Sequence, residues 1–98
     1  MSTEPGNNAA TGVRAVVEVL ARALADRPDA VRVTESRHKQ VTLIELFVSP
    51  QDIPKVIGRQ GRTAAALRTL AASAGEREGK QVTLEIRETD RHKAGGPQ

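Results

Sequence analysis

Two glycines three residues apart, Gly58 and Gly61, join two helical stretches in "DIPKVIGRQGRTAAALRTLAASAG". This turn constrains the chain more than any other feature. Pro54 is tolerated only in a first helical turn, so of the candidate caps Ser49 and Asp52 the second is favoured, and the first stretch is a helix of little more than one turn ending at Ile57. Gly58 can end it cheaply in a left-handed conformation. The second helix starts at Arg62 or Thr63. Alanine and leucine fill it, with Ala66, Leu67, Leu70, Ala71 and Ala74 as the buried stripe and Gly75 as the stop.

The segments on either side complete a small domain. Val13, Val16, Val17, Leu20 and Leu24 form one apolar helical stripe, with Thr11 as a candidate N-cap and an end near Asp26, before Pro28. Val31 and Val33 alternate with Arg32 and Thr34 as a first strand, and "SRHK" reads as a turn. In the second strand, Val41–Val48, Ile44, Leu46 and Val48 share one face, and Val41, Leu43, Glu45 and Phe47 share the other. Val82, Leu84 and Ile86 alternate in a last strand. The order helix, strand, strand, helix, helix, strand predicts a two-layer α+β domain, a three-stranded sheet with helices on one face. Residues 1–10 and 89–98 are polar, carry Pro5, Gly6 and a Gly-Gly-Pro run, and read as disordered tails around a domain over residues 11–88.

Composition removes several classes of function. The 98 residues contain no cysteine, and His38 and His92 have no further ligand at metal spacing, so neither a metal site nor a cofactor is expected. The N-terminus does not read as a signal peptide. "VTLIELFV" is too short for a membrane helix and contains Glu45, so a cytoplasmic protein with no membrane partner is expected. One aromatic residue, Phe47, cannot stack several bases, which argues against recognition by an aromatic sheet or barrel face.

The charge is informative by its location. Between Gln51 and Leu70, Lys55, Arg59, Arg62 and Arg68 stand against Asp52 alone, a surplus of three that equals the net charge of the whole chain. A helix start offers free N–H groups and partial positive charge, and glycines let a nucleic-acid backbone come close. Arg59, Gln60 and Arg62 can then donate to phosphate or sugar. A plain helix–helix turn would also place glycines here. The basic surroundings favour an anionic partner.

With these elements in place, "VIGRQGR" resembles the signature loop of a KH domain, in the α-β-β-α-α-β order of the type II arrangement. Over roughly Val13 to Glu88, "LADRPDAVRV", "VSPQDIPKVIGRQGRTAAALRTLAASAG" and "REGKQVTLEIRE" are similar to the small bacterial single-KH-domain proteins of the KhpA-like family. The resemblance implies that the loop Gly58–Arg59–Gln60–Gly61 clamps about four nucleotides of single-stranded RNA. It implies RNA-binding roles for Lys55, Ile57, Arg62 and Thr63, with Arg37, Lys39 and Arg68 as further candidates. Ile53, Val56, Ile57 and Ala65 would form one wall of a groove. The strand Val41–Val48 and the "SRHK" turn would form the other. Two residues depart from the pattern: Pro54 stiffens the short helix where a freer residue is expected, and Phe47 replaces a charged one.

Aliphatic contact with so few bases implies weak binding, about micromolar, or ~8 kcal/mol in total. Avidity through a homodimer or a larger KH-containing partner is therefore expected, and Val41, Leu43 and Phe47 are the candidate interface. The function expected is an RNA chaperone or post-transcriptional regulator; the alternative is a protein-interaction or ribosome-assembly module. An enzyme is not expected, because no nucleophile has a base beside it and the loop lacks the lysine-serine ending of a P-loop.

Overall fold

A computed structural model describes residues 12–89. Thr11 and most of both expected tails lie outside the described residues. In chain order the elements are α1 (Val13–Leu24), β1 (Arg32–His38), β2 (Val41–Val48), α2 (Ile53–Ile57), α3 (Arg62–Arg77) and β3 (Gln81–Glu88). Single 3₁₀ turns occupy Pro28–Ala30, Pro50–Asp52 and Arg59–Gly61. The fold is the expected α+β, type II KH arrangement.

The sheet order is β1-β2-β3. β1 runs antiparallel to β2 and β3 parallel to it, with Ile44 opposite Glu35 on one side and Leu84 on the other. Thr42, Ile44, Leu46 and Val48 are buried, while Val41, Leu43, Glu45 and Phe47 are only half-buried. The strict alternation means that one face of β2 is covered by helices and the other is not. The core joins Ile44, Leu46 and Val48 to Val13, Val17 and Ala21 of α1, Val56 of α2, Leu67 and Ala71 of α3, and Leu84.

Several local expectations change. α1 ends at Leu24, not near Asp26, because Ala25 is already extended. β1 continues through the stretch expected as a turn, so Arg37 is a strand residue opposite Thr42. His38 pairs with Val41, which leaves Lys39 and Gln40 as a two-residue hairpin loop. Gly75 does not stop α3. It lies inside the helix, where a Cβ would overlap Val82. The chain turns instead at Gly79, at φ +71°. The buried stripe of α3 is Ala64, Leu67, Ala71 and Gly75. Leu70 is 47% exposed and Leu24 37% exposed, so neither is core.

Asp52 occupies the cap position of α2, but its carboxylate caps no N–H there. It is 1% exposed and reaches back across the sequence. Its Oδ1 accepts from the Asp26 N–H at 3.1 Å and its Oδ2 from the Arg27 N–H at 2.9 Å. The link fastens the end of α1 to the start of α2. Each bond satisfies a backbone donor that the end of α1 leaves without a partner.

At the opposite end, the Lys80 ammonium bridges Glu78 at 3.1 Å and Glu35 at 3.2 Å. The hydrogen bond it donates to Glu78, and then that to Glu35, hold its pKa above the ordinary lysine value. The sign follows: this linkage is fully present below the ordinary value and is lost as pH rises through the raised one.

Replacing Asp52 by alanine leaves two backbone N–H groups without their acceptor, at about 1–3 kcal/mol each. Asp52→Ala should therefore lower unfolding free energy by about 3 kcal/mol in urea titrations. Asp52→Asn, which keeps one carbonyl acceptor, should lose roughly half of that.

Candidate nucleic-acid interface

The loop between α2 and α3 is built from two unequal glycines. Gly58 closes α2, its N–H bonding the Pro54 carbonyl at 2.8 Å. It sits at φ 78°, ψ 172°, a region open in practice only to glycine. A Cβ there would overlap Thr63 Oγ1 and come within 2.9 Å of the Thr63 backbone nitrogen. Gly61 is left-handed at φ 74°, ψ 14°, and a Cβ on it would meet nothing within 4 Å. Gly58 is thus needed for close packing, and Gly61 for its dihedral angles alone. Between them Gln60 is also left-handed, at φ 55°, ψ 25°.

The loop is held as a 3₁₀ turn by the bond from the Gly61 N–H to the Gly58 carbonyl at 3.1 Å. Gly61 is the N-cap of α3 and brings no side chain to accept from the first-turn N–H groups. Arg59 and Gln60 are exposed at the tip. Arg62 donates to Gln60 Oε1 at 3.1 Å.

The two other cations that flank the loop in sequence, Lys55 and Arg68, are already engaged. Lys55 pairs with Asp26 at 3.3 Å. Arg68 is exposed on α3, and its Nε donates to the Leu84 carbonyl at 3.3 Å. That bond satisfies a carbonyl on the edge strand β3. It also ties the middle of α3 to β3. Ala65 and Ala72, three residues before and four after Arg68, are exposed on the same side of α3. Val56 is core, and Ile53 and Ile57 are half-buried.

The structure does not bring Arg37 and Lys39 to the loop. They lie at the start of β2, beside the α3–β3 connection, whereas the loop precedes α3. The 16 residues of α3 separate the two places, about 24 Å at 1.5 Å per residue. The hairpin turn expected in the second groove wall therefore lies away from the loop, and the strand that α3 packs against is β3.

Val41, Leu43 and Phe47 do share the sheet face away from the helices, half-buried rather than open. In register, Phe47 lies between Arg32 and Arg87, and Arg87 pairs with Glu45 at 3.0 Å and Glu85 at 2.7 Å. Sequence reading missed Val19 on α1, 65% exposed, which with Leu70 leads the exposed large apolar side chains. Among the described residues no group of three metal-ligating side chains occurs, and no helix is long and apolar enough to cross a membrane.

A two-layer domain in the order α-β-β-α-α-β, with an exposed G-x-x-G turn between its consecutive helices α2 and α3, defines the type II KH class. The sequence model described as "KhpA/KhpB, KH domain" matches residues 14–86, and the chain belongs to this family. It is 51% identical over 71 residues to the RNA-binding protein KhpA of Caldanaerobacter subterraneus subsp. tengcongensis, covering 72% of this chain and 95% of that one. To KhpA of Aquifex aeolicus it is 46% identical over 78 residues, covering 80% and 99%. To KhpA of Mycobacterium tuberculosis it is 45% identical over 74, covering 76% and 89%. Among solved structures, Aquifex aeolicus Era bound to GDP and AlF4− shares the fold, with a TM-score of 0.59 at 20% identity, over 79% of this chain and 30% of the Era chain.

The two glycines predict unequal responses to one methyl group. Gly61→Ala should cost about 1–2 kcal/mol, the price of a left-handed alanine, and leave the fold intact. Gly58→Ala should cost clearly more, because it adds overlap with Thr63. Thermal unfolding of both variants checks the order, and equal losses would mean that the Thr63 contact relaxes freely.

Proposed function

We propose that this chain is a cytoplasmic, non-catalytic protein that binds short single-stranded segments of RNA, acting as an RNA chaperone or post-transcriptional regulator. One observation carries the reading. The exposed turn Gly58–Arg59–Gln60–Gly61 leads into a helix whose N-cap has no side chain, so phosphate oxygens can approach backbone N–H groups unhindered. The relatives' name, RNA-binding protein KhpA, supports RNA as the nucleic acid. In this reading Arg59 and Gln60 contact the backbone, Arg62 and Thr63 support the loop, Ile57 offers aliphatic surface, and Lys55 and Arg68 flank it. The bases would lie between α3 and the edge of β3.

Fluorescence anisotropy with short single-stranded RNAs at two salt concentrations tests this reading. The double variant Arg59→Asp, Gln60→Asp, shown by circular dichroism to be folded, should lose at least about tenfold in affinity, roughly 1.4 kcal/mol. Equal binding by wild type and variant would reduce the loop to a turn.

The reading includes pairing, with a second copy or with a larger KH-containing protein, since weak single contacts gain most from avidity. Val41, Leu43 and Phe47 would supply the contact. If so, Phe47→Arg should lower the assembly mass in light scattering while leaving RNA affinity per domain unchanged, and Leu70→Arg should leave the mass unaltered. The reverse pattern would place the contact on the helical layer. The half-buried Phe47 face also favours a second reading, a docking or ribosome-assembly module. Absence of RNA binding by the wild type, with assembly lost in the Phe47 variant, would favour it.

A further inference from the structure

One cleft lies far from the loop. It holds about 340 Å³ where the β1–β2 hairpin, the start of β2 and the α3–β3 connection meet. Arg37, Lys39, Gln40, Thr42, Lys80 and Gln81 line it, together with Gly79. No apolar side chain takes part, so it is not a hydrophobic pocket for a protein side chain.

Its charges differ in availability. Lys80 is committed to Glu35 and Glu78. Arg37 and Lys39 form no ion pair with any described residue, so two cations face the cleft uncompensated. Thr42 is 2% exposed, and its hydroxyl has no hydrogen-bond partner among the described residues. A buried hydroxyl of this kind normally has one. Lys39 is held at φ 59°, a conformation that glycine or asparagine would adopt more cheaply in a two-residue hairpin loop. At the nearby end of α3 two of the terminal carbonyls are already engaged. The Gly75 carbonyl accepts from the N–H groups of Glu78 and Lys80, and that of Glu76 from Gly79.

We propose that this cleft seats a second backbone phosphate of the same RNA strand that the loop 58–61 holds, with Arg37 and Lys39 as the charged donors and Thr42 as a neutral one. The inference rests on the RNA-binding reading of the loop and extends it. The two seats are separated by the length of α3, about 24 Å. A strand kept stacked, at about the 3.4 Å per phosphate of one duplex strand, spans that distance in about seven nucleotides, and a more extended strand spans it in fewer. A stacked strand on both seats has a footprint longer than the roughly four nucleotides of a single KH groove.

The experiment measures affinity and salt slope for single-stranded RNAs of about five and about ten nucleotides, against three proteins: wild type, Arg37→Gln with Lys39→Gln, and Arg59→Asp with Gln60→Asp. Both cleft residues are exposed, so their variant should fold, which circular dichroism checks. The wild type should bind the longer RNA more tightly. The cleft variant should weaken the longer RNA about five- to tenfold, lower its salt slope by about 0.7–1.4 for one or two contacts, and leave the shorter RNA unchanged. A ten-nucleotide affinity unmoved by the cleft variant overturns the proposal, including the case where the cleft takes only free phosphate. Equal wild-type affinity for both lengths overturns it as well. Failure of the loop reading looks different: the loop variant would then bind the shorter RNA as well as wild type does.

Discussion

The bond pair at Asp52 is the constraint on which the arrangement of the helical layer rests. A carboxylate with almost no exposure is costly to bury unless its oxygens are satisfied. Here both are met by consecutive N–H groups at Asp26 and Arg27, where the chain leaves α1. That fixes the start of α2 against the end of α1, and α2 is too short to hold its own position. Five residues make little more than one turn, below the length at which a helix is stable alone. Val56 in the core and Asp52 at its root give α2 two anchors. The loop that follows inherits its placement from them, and Lys55 adds a third, exposed link to the same connection through Asp26.

The glycine turn completes this chain of dependence. α2 ends where Gly58 takes a conformation available to it alone, and the missing Cβ lets Thr63 of α3 close against it. The short helix and the long one are thereby locked at their junction. Gly61 and Gln60 then turn the chain into α3 through left-handed angles. An exposed loop held by packing at one end and a backbone hydrogen bond across it is preorganised. Less ordering remains to be lost when a ligand binds.

The element order, the fold class and the alternation of β2 were legible because each rests on local pattern: stripes at helical spacing, β-branched alternation and paired glycines. The losses have physical reasons. In an alanine-rich helix the buried face is poorly marked, since alanine suits either side. The stripe through Ala66 and Leu70 was therefore rotated from the real one through Ala64, Leu67, Ala71 and Gly75. Gly75 read as a stop because glycine commonly is one, whereas its smallness serves contact with Val82. The hairpin loop Lys39–Gln40 contains neither glycine nor asparagine to fix its place, so the turn is expected a little early, over "SRHK". Asp52 beside Pro54 looked like a cap because caps are local, while its partners lie 25 and 26 residues upstream. The place of the loop between its two helices was readable; the packing of α3 on β3 was not, because strand order in the sheet leaves no trace in any one strand.

Charge at the loop also looks different once its partners are known. Four cations cluster there in sequence, yet Lys55 is paired, Arg62 is turned to Gln60, and Arg68 serves an edge carbonyl of β3. Arg59 alone stands exposed without such a partner among the described residues. In the proposed clamp most of the grip on a backbone phosphate then comes from oriented N–H groups and close approach, with a small Coulombic share. A site of that kind should discriminate by backbone shape more than by charge density. Its affinity should depend on salt only weakly for each nucleotide held. Weak intrinsic attraction is in turn the condition under which a second anchor or a second domain changes affinity most. A 98-residue chain with one aromatic residue has few other ways to raise affinity.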